Sequence, residues 1–332
     1  MAPRYAGVIG LFVLTVLLSP VVPAPAAERV VARMDWLIGG KHVAFFVAAA
    51  KGYYQEAGLA VEIQKGGGSG ETAKLVAQGL AQFGFADMIT AILGRSQGMM
   101  LRSVGVGYGE NPVTAISLKD TGIRTPKDLE GKIYGGPPGD VLWVLMPALT
   151  RANGVDMGKI TYKNVDPAVR NAALMEGRIH FMSGLVASNL PNMQVLTRRR
   201  GKELNVLWLK DWGLNTYGHS IFATEETLAK RRPVVGAFVM QTFRAWRYAI
   251  DHPAEATAIL MKAHPQLDRE ITELAVGQIL EAVQSKEARE HGLGYMDLEK
   301  VKLTVSIVNQ YFTPKTPVDH RDVFTNEFIK KF

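Results

Sequence analysis

Four short segments of this 332-residue chain hold the residue types best suited to gripping a small molecule. The first, Asp35 to His42, carries Trp36, Gly39, Gly40 and His42. The second is Gly66-Gly67-Gly68-Ser69-Gly70, and the third is Ala86-Asp87-Met88. The fourth is Gly135-Gly136-Pro137-Pro138-Gly139-Asp140. An indole such as Trp36 can stack on a planar ligand, or simply pack in a core. The same two readings hold for Tyr108, Trp143, Trp212 and Tyr217. Glycines ahead of a helix let backbone N–H groups of Gly68 and Ser69 face a polar ligand edge. A plain tight turn would use the same glycines.

The motifs of known catalysts are missing. No Gly-Lys-Ser/Thr follows the glycine loop, so it is not a nucleotide-triphosphate loop. Glu71 stands where a dinucleotide fingerprint needs its third glycine, and Gly105 to Glu110 fails the same test. No Gly-x-Ser-x-Gly turn occurs. The seven histidines show no His-x-His or His-Glu-x-x-His spacing, so no metal site and no metal or organic cofactor is expected. Asp35 and Asp87 form a conceivable acid/base pair, but helix starts and ligand hydrogen bonds explain them better. The residues describe a binder rather than an enzyme.

The elements that must position these loops alternate. Strand-like runs at Val30–Met34, Ala60–Ile63, Phe83–Phe85 and Lys132–Tyr134 are each followed by a loop and a helix, and Ile179–Met182 is again strand-like. The first helix is expected over Val43–Tyr54, ending near Gly58. Thr125-Pro126 and Asp166-Pro167 read as helix starts. Leu101–Leu118 is strand-like, interrupted by Gly105, Gly107 and Gly109. This pattern predicts an α/β fold of mostly parallel sheets flanked by helices, with ligands at the loops beyond the strand ends. Beyond Pro233 the chain is nearly all helix, with candidates at Val234–Ile250, Ala254–Ala263, Glu270–Val283 and Leu298–Tyr311. That block is expected to pack on the first lobe.

Length argues for two lobes rather than one core. Hydrophobic residues make up 47% and charged residues 21%, a globular balance. Arg4 followed by the apolar run Val8–Leu18, Pro20 and Ala24-Pro25-Ala26 has the form of a signal peptide over 1–26, cleaved after Ala26 or Ala27. Export to a periplasm is therefore expected. With no cysteine, neither a disulfide nor an N-terminal lipid anchor is expected. The net charge of +7 is scattered. The dense run Arg198-Arg199-Arg200 reads as a solvated helix face, so no nucleic-acid partner is expected.

The segment MDWLIGGKHVAFFVAAAKGYYQEAGLAVEI, Met34 to Ile63, resembles the start of NMT1/THI5-like and SsuA-like binding proteins. The likeness continues through QFGFADM, TPKDLEGKIYGGPPGD, DPAVRNAALMEGRIHF, YGHSIFATEETL, FRAWRYAIDHPAEA and FTNEFI. The resemblance implies a monomeric, two-lobed clamp that serves an ABC permease and its ATPase. It implies lobes of 27–112 with 220–332 and of 113–219, joined by crossings near Gly109–Ala115 and Asn215–Ile221. The ligand would lie between the four loops and Gly184–Asn189. Its expected contacts are Trp36, Gly39, His42, Gly68, Ser69, Asp87, Tyr108, Pro138, Gly139, Asp140, Gly184 and Tyr217. The Asp35-Trp36 pair with His42 is most like the branch that binds pyrimidine precursors of thiamine; a sulfonate, nitrate or aromatic acid is the alternative. Lys41 and His180 depart from the family pattern. The family also includes thiamine pyrimidine synthases, which use a lysine, a histidine and a cysteine-rich loop. Here those positions correspond to Ala86, Thr90 and a cysteine-free segment before Ile221. A periplasmic sensor subunit would share the same clamp.

Overall fold

The computed structural model describes residues 1–3, 27–312, 314 and 316–331, so most of the expected signal segment lies outside the described residues. Short runs rich in β-branched and aromatic residues form the strands. They are β1 (Glu28–Met34), β2 (Leu59–Gln64), β3 (Phe83–Asp87), β4 (Leu101–Val106) and β5 (Val113–Leu118). The series continues with β6 (Ile133–Gly136), β7 (Thr161–Asn164), β8 (Phe181–Leu185), β9 (Leu204–Trp208) and β10 (His219–Thr224).

Two five-stranded sheets result, one per lobe. The first has the order β2-β1-β3-β10-β4, the second β7-β6-β8-β5-β9. In the first sheet β1 pairs parallel with β2 and β3, while β10 runs antiparallel to β3 and β4. In the second, β6 pairs parallel with β7 and β8, while β5 runs antiparallel to β8 and β9. The sheets are therefore mixed, with a single reversed strand in each. That strand is the one entered directly after the chain crosses between lobes, at 107–112 and again at 209–218. The strand-like region Leu101–Leu118 is thus two strands in two different sheets.

Burial follows strand position. The inner strands β3 (FGFAD), β5 (VTAISL) and β8 (FMSGL) are buried at every residue, as expected for strands covered on both faces. The edge strand β7 (TYKN) is mostly exposed, which is why its sequence carries no strand pattern. Gly52, at φ 75°, divides the expected first helix into Val43–Ala50 and Tyr53–Glu56.

Helices Arg232–Asp251, Pro253–Ala263 and Arg269–Ala282 cover the first sheet. Phe238 anchors that layer, stacked on Phe83 at 4.1 Å and on Tyr54 at 5.5 Å between ring centroids. The last long helix, Leu298–Ile307, behaves differently from the expected one-lobe block. Its Val301, Val305 and Ile307 share a core with Leu142, Leu145 and Leu149 of the second lobe and with Met88 and Ile92 of the first. It therefore packs across the crossings.

On the other side of the molecule the lobes touch through polar groups. Lys41 N–H donates to the Ala187 carbonyl at 3.0 Å, and Gly70 N–H to the Gly139 carbonyl at 3.4 Å. The arginine run also reaches across. Arg199 pairs with Asp268 at 2.9 Å and Glu270 at 2.6 Å, and Arg198 pairs with Glu270. These side chains are exposed, so each pair stabilises the fold by less than about 1 kcal/mol and is weakened by salt. Their effect is on closure. The double substitution Arg198→Ala, Arg199→Ala should leave the thermal midpoint nearly unchanged and raise the radius of gyration of the ligand-free protein in X-ray scattering. Added salt should produce the same expansion in the unsubstituted protein and little further change in the variant.

Candidate ligand site between the lobes

The site begins at the C-terminal end of β1. Asp35 leaves the strand and is buried, and its carboxylate receives three side chains. Lys41 Nζ donates to Oδ2 at 2.6 Å, His219 Nε2 lies 2.7 Å from Oδ2, and His42 Nε2 lies 3.2 Å from Oδ1. The short turn Gly40–His42 brings Lys41 and His42 back towards Asp35. His219 arrives from the first residue of β10, paired opposite Asp87. Gly39 N–H donates to His42 Nδ1 at 3.3 Å. That bond places the His42 proton on Nε2, from which it donates to Asp35.

The electrostatics follow from burial. Burial alone would raise the Asp35 carboxyl, but the Lys41 ammonium and then His219 hold it well below the usual carboxylate range. Burial pulls the His42 imidazole down to about 4, more than its hydrogen bond to Asp35 restores. His219 is lowered by the same cause. Burial also drags the Lys41 ammonium down, and the Asp35 carboxylate pushes it back up. Burial thus pulls both imidazoles towards their neutral form, while the Asp35 carboxyl is held ionised by its partners.

The second wall comes from the other lobe. Asp140 caps helix Val141–Ala152, its Oδ1 accepting from Leu142 N–H at 3.0 Å. Its Oδ2 accepts from Arg170 Nη1 at 2.5 Å, a buried ion pair. Arg170 projects from helix Pro167–Met175, started by Asp166 as expected. Its guanidinium carbon lies 4.8 Å from the centre of the Trp36 ring, so it stacks on the tryptophan of the opposite lobe. Ser183, Ser188 and Asn189 complete this wall.

The two walls nearly meet. The cavity between them is about 20 Å³, room for about one water. Gly68 makes that approach feasible. It sits at φ 154°, and a Cβ there would lie 2.9 Å from the Gly139 carbonyl oxygen. A ligand larger than water enters only when the lobes part.

The residues expected to bind fall into three groups. Trp36, Gly68, Ser69 and Asp140 line the cavity, and Gly139 touches Gly68 across it. Pro138 belongs to the same loop, and its neighbour Pro137 accepts a hydrogen bond from Asp140 N–H. Gly39, His42 and Asp87 stand behind the lining. Asp87 N–H donates to Ser69 Oγ at 3.3 Å, and its Oδ1 caps the next helix through Thr90 N–H at 3.0 Å. Three others lie elsewhere. Gly184 is needed for packing, since a Cβ there would strike Thr114 and Ile116 within the sheet. Tyr217 is buried with its hydroxyl accepting from Asp297 N–H at 2.6 Å, which fixes the start of helix Leu298–Ile307. Tyr108 lies in the crossing, its hydroxyl donating to the Val186 carbonyl at 3.3 Å. It borders a separate groove of about 580 Å³ that includes Trp208 and Lys300. Sequence reading did not select Arg170 or His219, and it treated Lys41 only as a departure.

The NMT1/THI5-like family model matches residues 40–256, more than half of the chain, beginning just after Asp35 and Trp36. The chain belongs to the NMT1/THI5-like family. It is 25% identical over 312 residues to a riboflavin-binding protein, RibY, of Chloroflexus aurantiacus, covering 92% of this chain and 87% of that one. A formylaminopyrimidine-binding protein of Halalkalibacterium halodurans is 22% identical, covering 91% of each. A relative in Legionella pneumophila, 25% identical over 72% of this chain and 75% of its own length, is named as a 4-amino-5-hydroxymethyl-2-methylpyrimidine phosphate synthase. Among solved structures, a Bordetella bronchiseptica protein superposes with a TM-score of 0.74 at 18% identity, covering 91% of this chain and 95% of that one. The ligand-binding component of an ABC-type import system from Staphylococcus aureus does so at 0.67 and 14%, covering 91% and 97%. These structures show the same fold, that of two-lobed periplasmic binding proteins.

Burial pushes the Asp87 carboxyl up to about 7, against the lowering effect of its Thr90 bonds. A raised folded value means that this group contributes stability below its ordinary 3.8, and that the contribution is lost as pH rises through about 7. His42 acts in the opposite sense: its contribution is present above 6.5 and lost as pH falls towards about 4. Asp87→Asn keeps the helix cap but removes the titration. The variant should gain stability over the unsubstituted protein as pH rises from about 4 to about 7, by at most about 4 kcal/mol. Urea unfolding at several pH values measures this, and a pH-independent difference would contradict it.

Proposed function

We propose that this protein is the solute-binding component of an ABC-type importer and that it captures a small, planar, polar heteroaromatic molecule between its lobes. The observation that carries this reading is the convergence of Trp36 from one lobe with Asp140 and Arg170 from the other on a cavity that opens only when the lobes part. An indole face opposed by fixed polar groups suits a flat ring with hydrogen-bonding edges. Closure would select among open and closed states already in equilibrium, and a permease with its ATPase would read the closed one. The relatives named for riboflavin and formylaminopyrimidine support a flat nitrogen heterocycle, and pyrimidine precursors of thiamine fit that class. Delivery from a periplasm, by a monomer without a lipid anchor, completes the reading. The ligand contacts we assign are Trp36, Gly68, Ser69, Gly139 and Asp140, with His42 and Asp87 supporting them from behind.

A second reading, pyrimidine phosphate synthase, has two observations in its favour. Relatives carry that name, and the cleft does hold an amine beside imidazoles, Lys41 with His42 and His219. The positions that resemblance assigns to the reactive lysine and histidine speak against it. Ala86 is a buried residue of β3, and Thr90 bonds to Asp87.

Calorimetry with riboflavin and with formylaminopyrimidine tests the first reading. One of them should bind and raise the thermal midpoint. Trp36→Ala should weaken that binding by about 10- to 100-fold, the usual cost of losing an aromatic stacking face. Binding of an alkanesulfonate but of neither ring compound would contradict the ligand class. Incubation with pyridoxal phosphate and iron should yield no pyrimidine product; its appearance would establish the second reading.

A further inference from the structure

The clearest unmet hydrogen-bonding capacity in the cleft belongs to its cations. Both carboxylates that line it already accept from protein donors. Asp35 receives Lys41, His42 and His219, and Asp140 receives Leu142 N–H and Arg170 Nη1. The cations are not saturated. An ammonium has three donors, and Lys41 spends one on Asp35. Among the described residues Arg170 Nε is buried and has no acceptor. A guanidinium presents Nε and one Nη as a planar fork, and Nη1 can stay on Asp140 while that fork faces something else. Buried donors are normally paired, so an orphaned one on a cleft-lining cation points to a partner that arrives from outside.

The stacked position of Arg170 adds to this. With the lobes together its guanidinium lies over the indole of Trp36. Parting the lobes takes it off that face, since the two residues belong to opposite lobes. A ring can then take the indole face and meet the fork at its edge.

We propose that Arg170 is the specificity-determining residue of this site, and that with Lys41 it selects planar ligands whose facing edge carries oxygen acceptors. Imide carbonyls or a ring carboxylate meet that requirement, and an amino edge does not. This rests on the planar-ligand reading given above and narrows it. An amine-edged pyrimidine would leave the Arg170 fork unmet and would have to share carboxylates that already accept from Lys41 and Arg170.

The test uses the full chain and four probes: orotate, 5-hydroxymethyluracil, 4-amino-5-hydroxymethyl-2-methylpyrimidine and ethanesulfonate. Calorimetry should show the two uracil-type rings binding at least about 10-fold tighter than the aminopyrimidine, a difference in line with pairing or not pairing buried donors. Orotate far above hydroxymethyluracil would identify the carboxylate as the feature read; equal affinities would identify the imide. Arg170→Lys keeps the charge and loses the fork, and should erase the preference through a larger loss for the uracil-type rings than for the aminopyrimidine. If breaking the buried pair unfolds the protein, Arg170→Gln with Asp140→Asn removes both charges together, keeps a polar helix cap, and should erase the preference likewise. Tighter binding of the aminopyrimidine, or an equal loss for every ring in the variants, would overturn the proposal and leave the planar-ligand reading standing. Binding of ethanesulfonate alone would overturn both.

Discussion

Asp35 holds the floor of the cleft together. One buried carboxylate joins the end of β1, the turn after it and the first residue of β10, through Lys41, His42 and His219. An isolated buried carboxylate would be far too costly, so each of these partners is needed by the others. The same turn carries the backbone N–H of Lys41 that reaches Ala187 in the opposite lobe. The internal order of the first lobe and its contact with the second therefore pass through the same few residues. Removing the carboxylate would leave a buried ammonium unpaired and free the turn that positions it.

Inside the cleft each buried ion pair is completed within its own lobe. Lys41 answers Asp35 in one, and Arg170 answers Asp140 in the other. Closure thus brings no uncompensated charge into the cleft. Selectivity cannot come from a net field under these conditions. It has to come from directional donors, the shape of the gap and the indole face. The exposed pairs of Arg198 and Arg199 act on a different quantity, the balance between open and closed, because they span the lobes without touching the cavity.

Much of this was legible in the sequence, for identifiable reasons. The strand–loop–helix alternation located the loops, and Trp36, Gly68, Ser69 and Asp140 were readable because loops beyond strand ends face the cleft. Edge strands β7 and β9 were not, since a half-solvated run such as TYKN has little apolar pattern to detect. His219 was hidden by distance along the chain, 184 residues from the carboxylate it meets. Arg170 did leave a trace. It shares a helix face with Ala173 and Leu174, so a charge sits on an otherwise apolar, buried stripe. Gly184 and Tyr217 show the converse problem. A glycine or tyrosine near a cleft looks the same in sequence whether it meets a ligand, a neighbouring strand or a distant helix, and here they meet Thr114 and Asp297.

Ala187 is the one residue other than glycine with a positive φ, 59°, among the described residues. Its carbonyl accepts from Lys41 N–H, and its own N–H donates to Gln278 Oε1 at 3.1 Å, so both of its peptide groups are held by the other lobe. A left-handed alanine costs of order 1 kcal/mol. Both bonds cross between the lobes, so the one strained peptide of this kind is held where the two halves of the clamp meet.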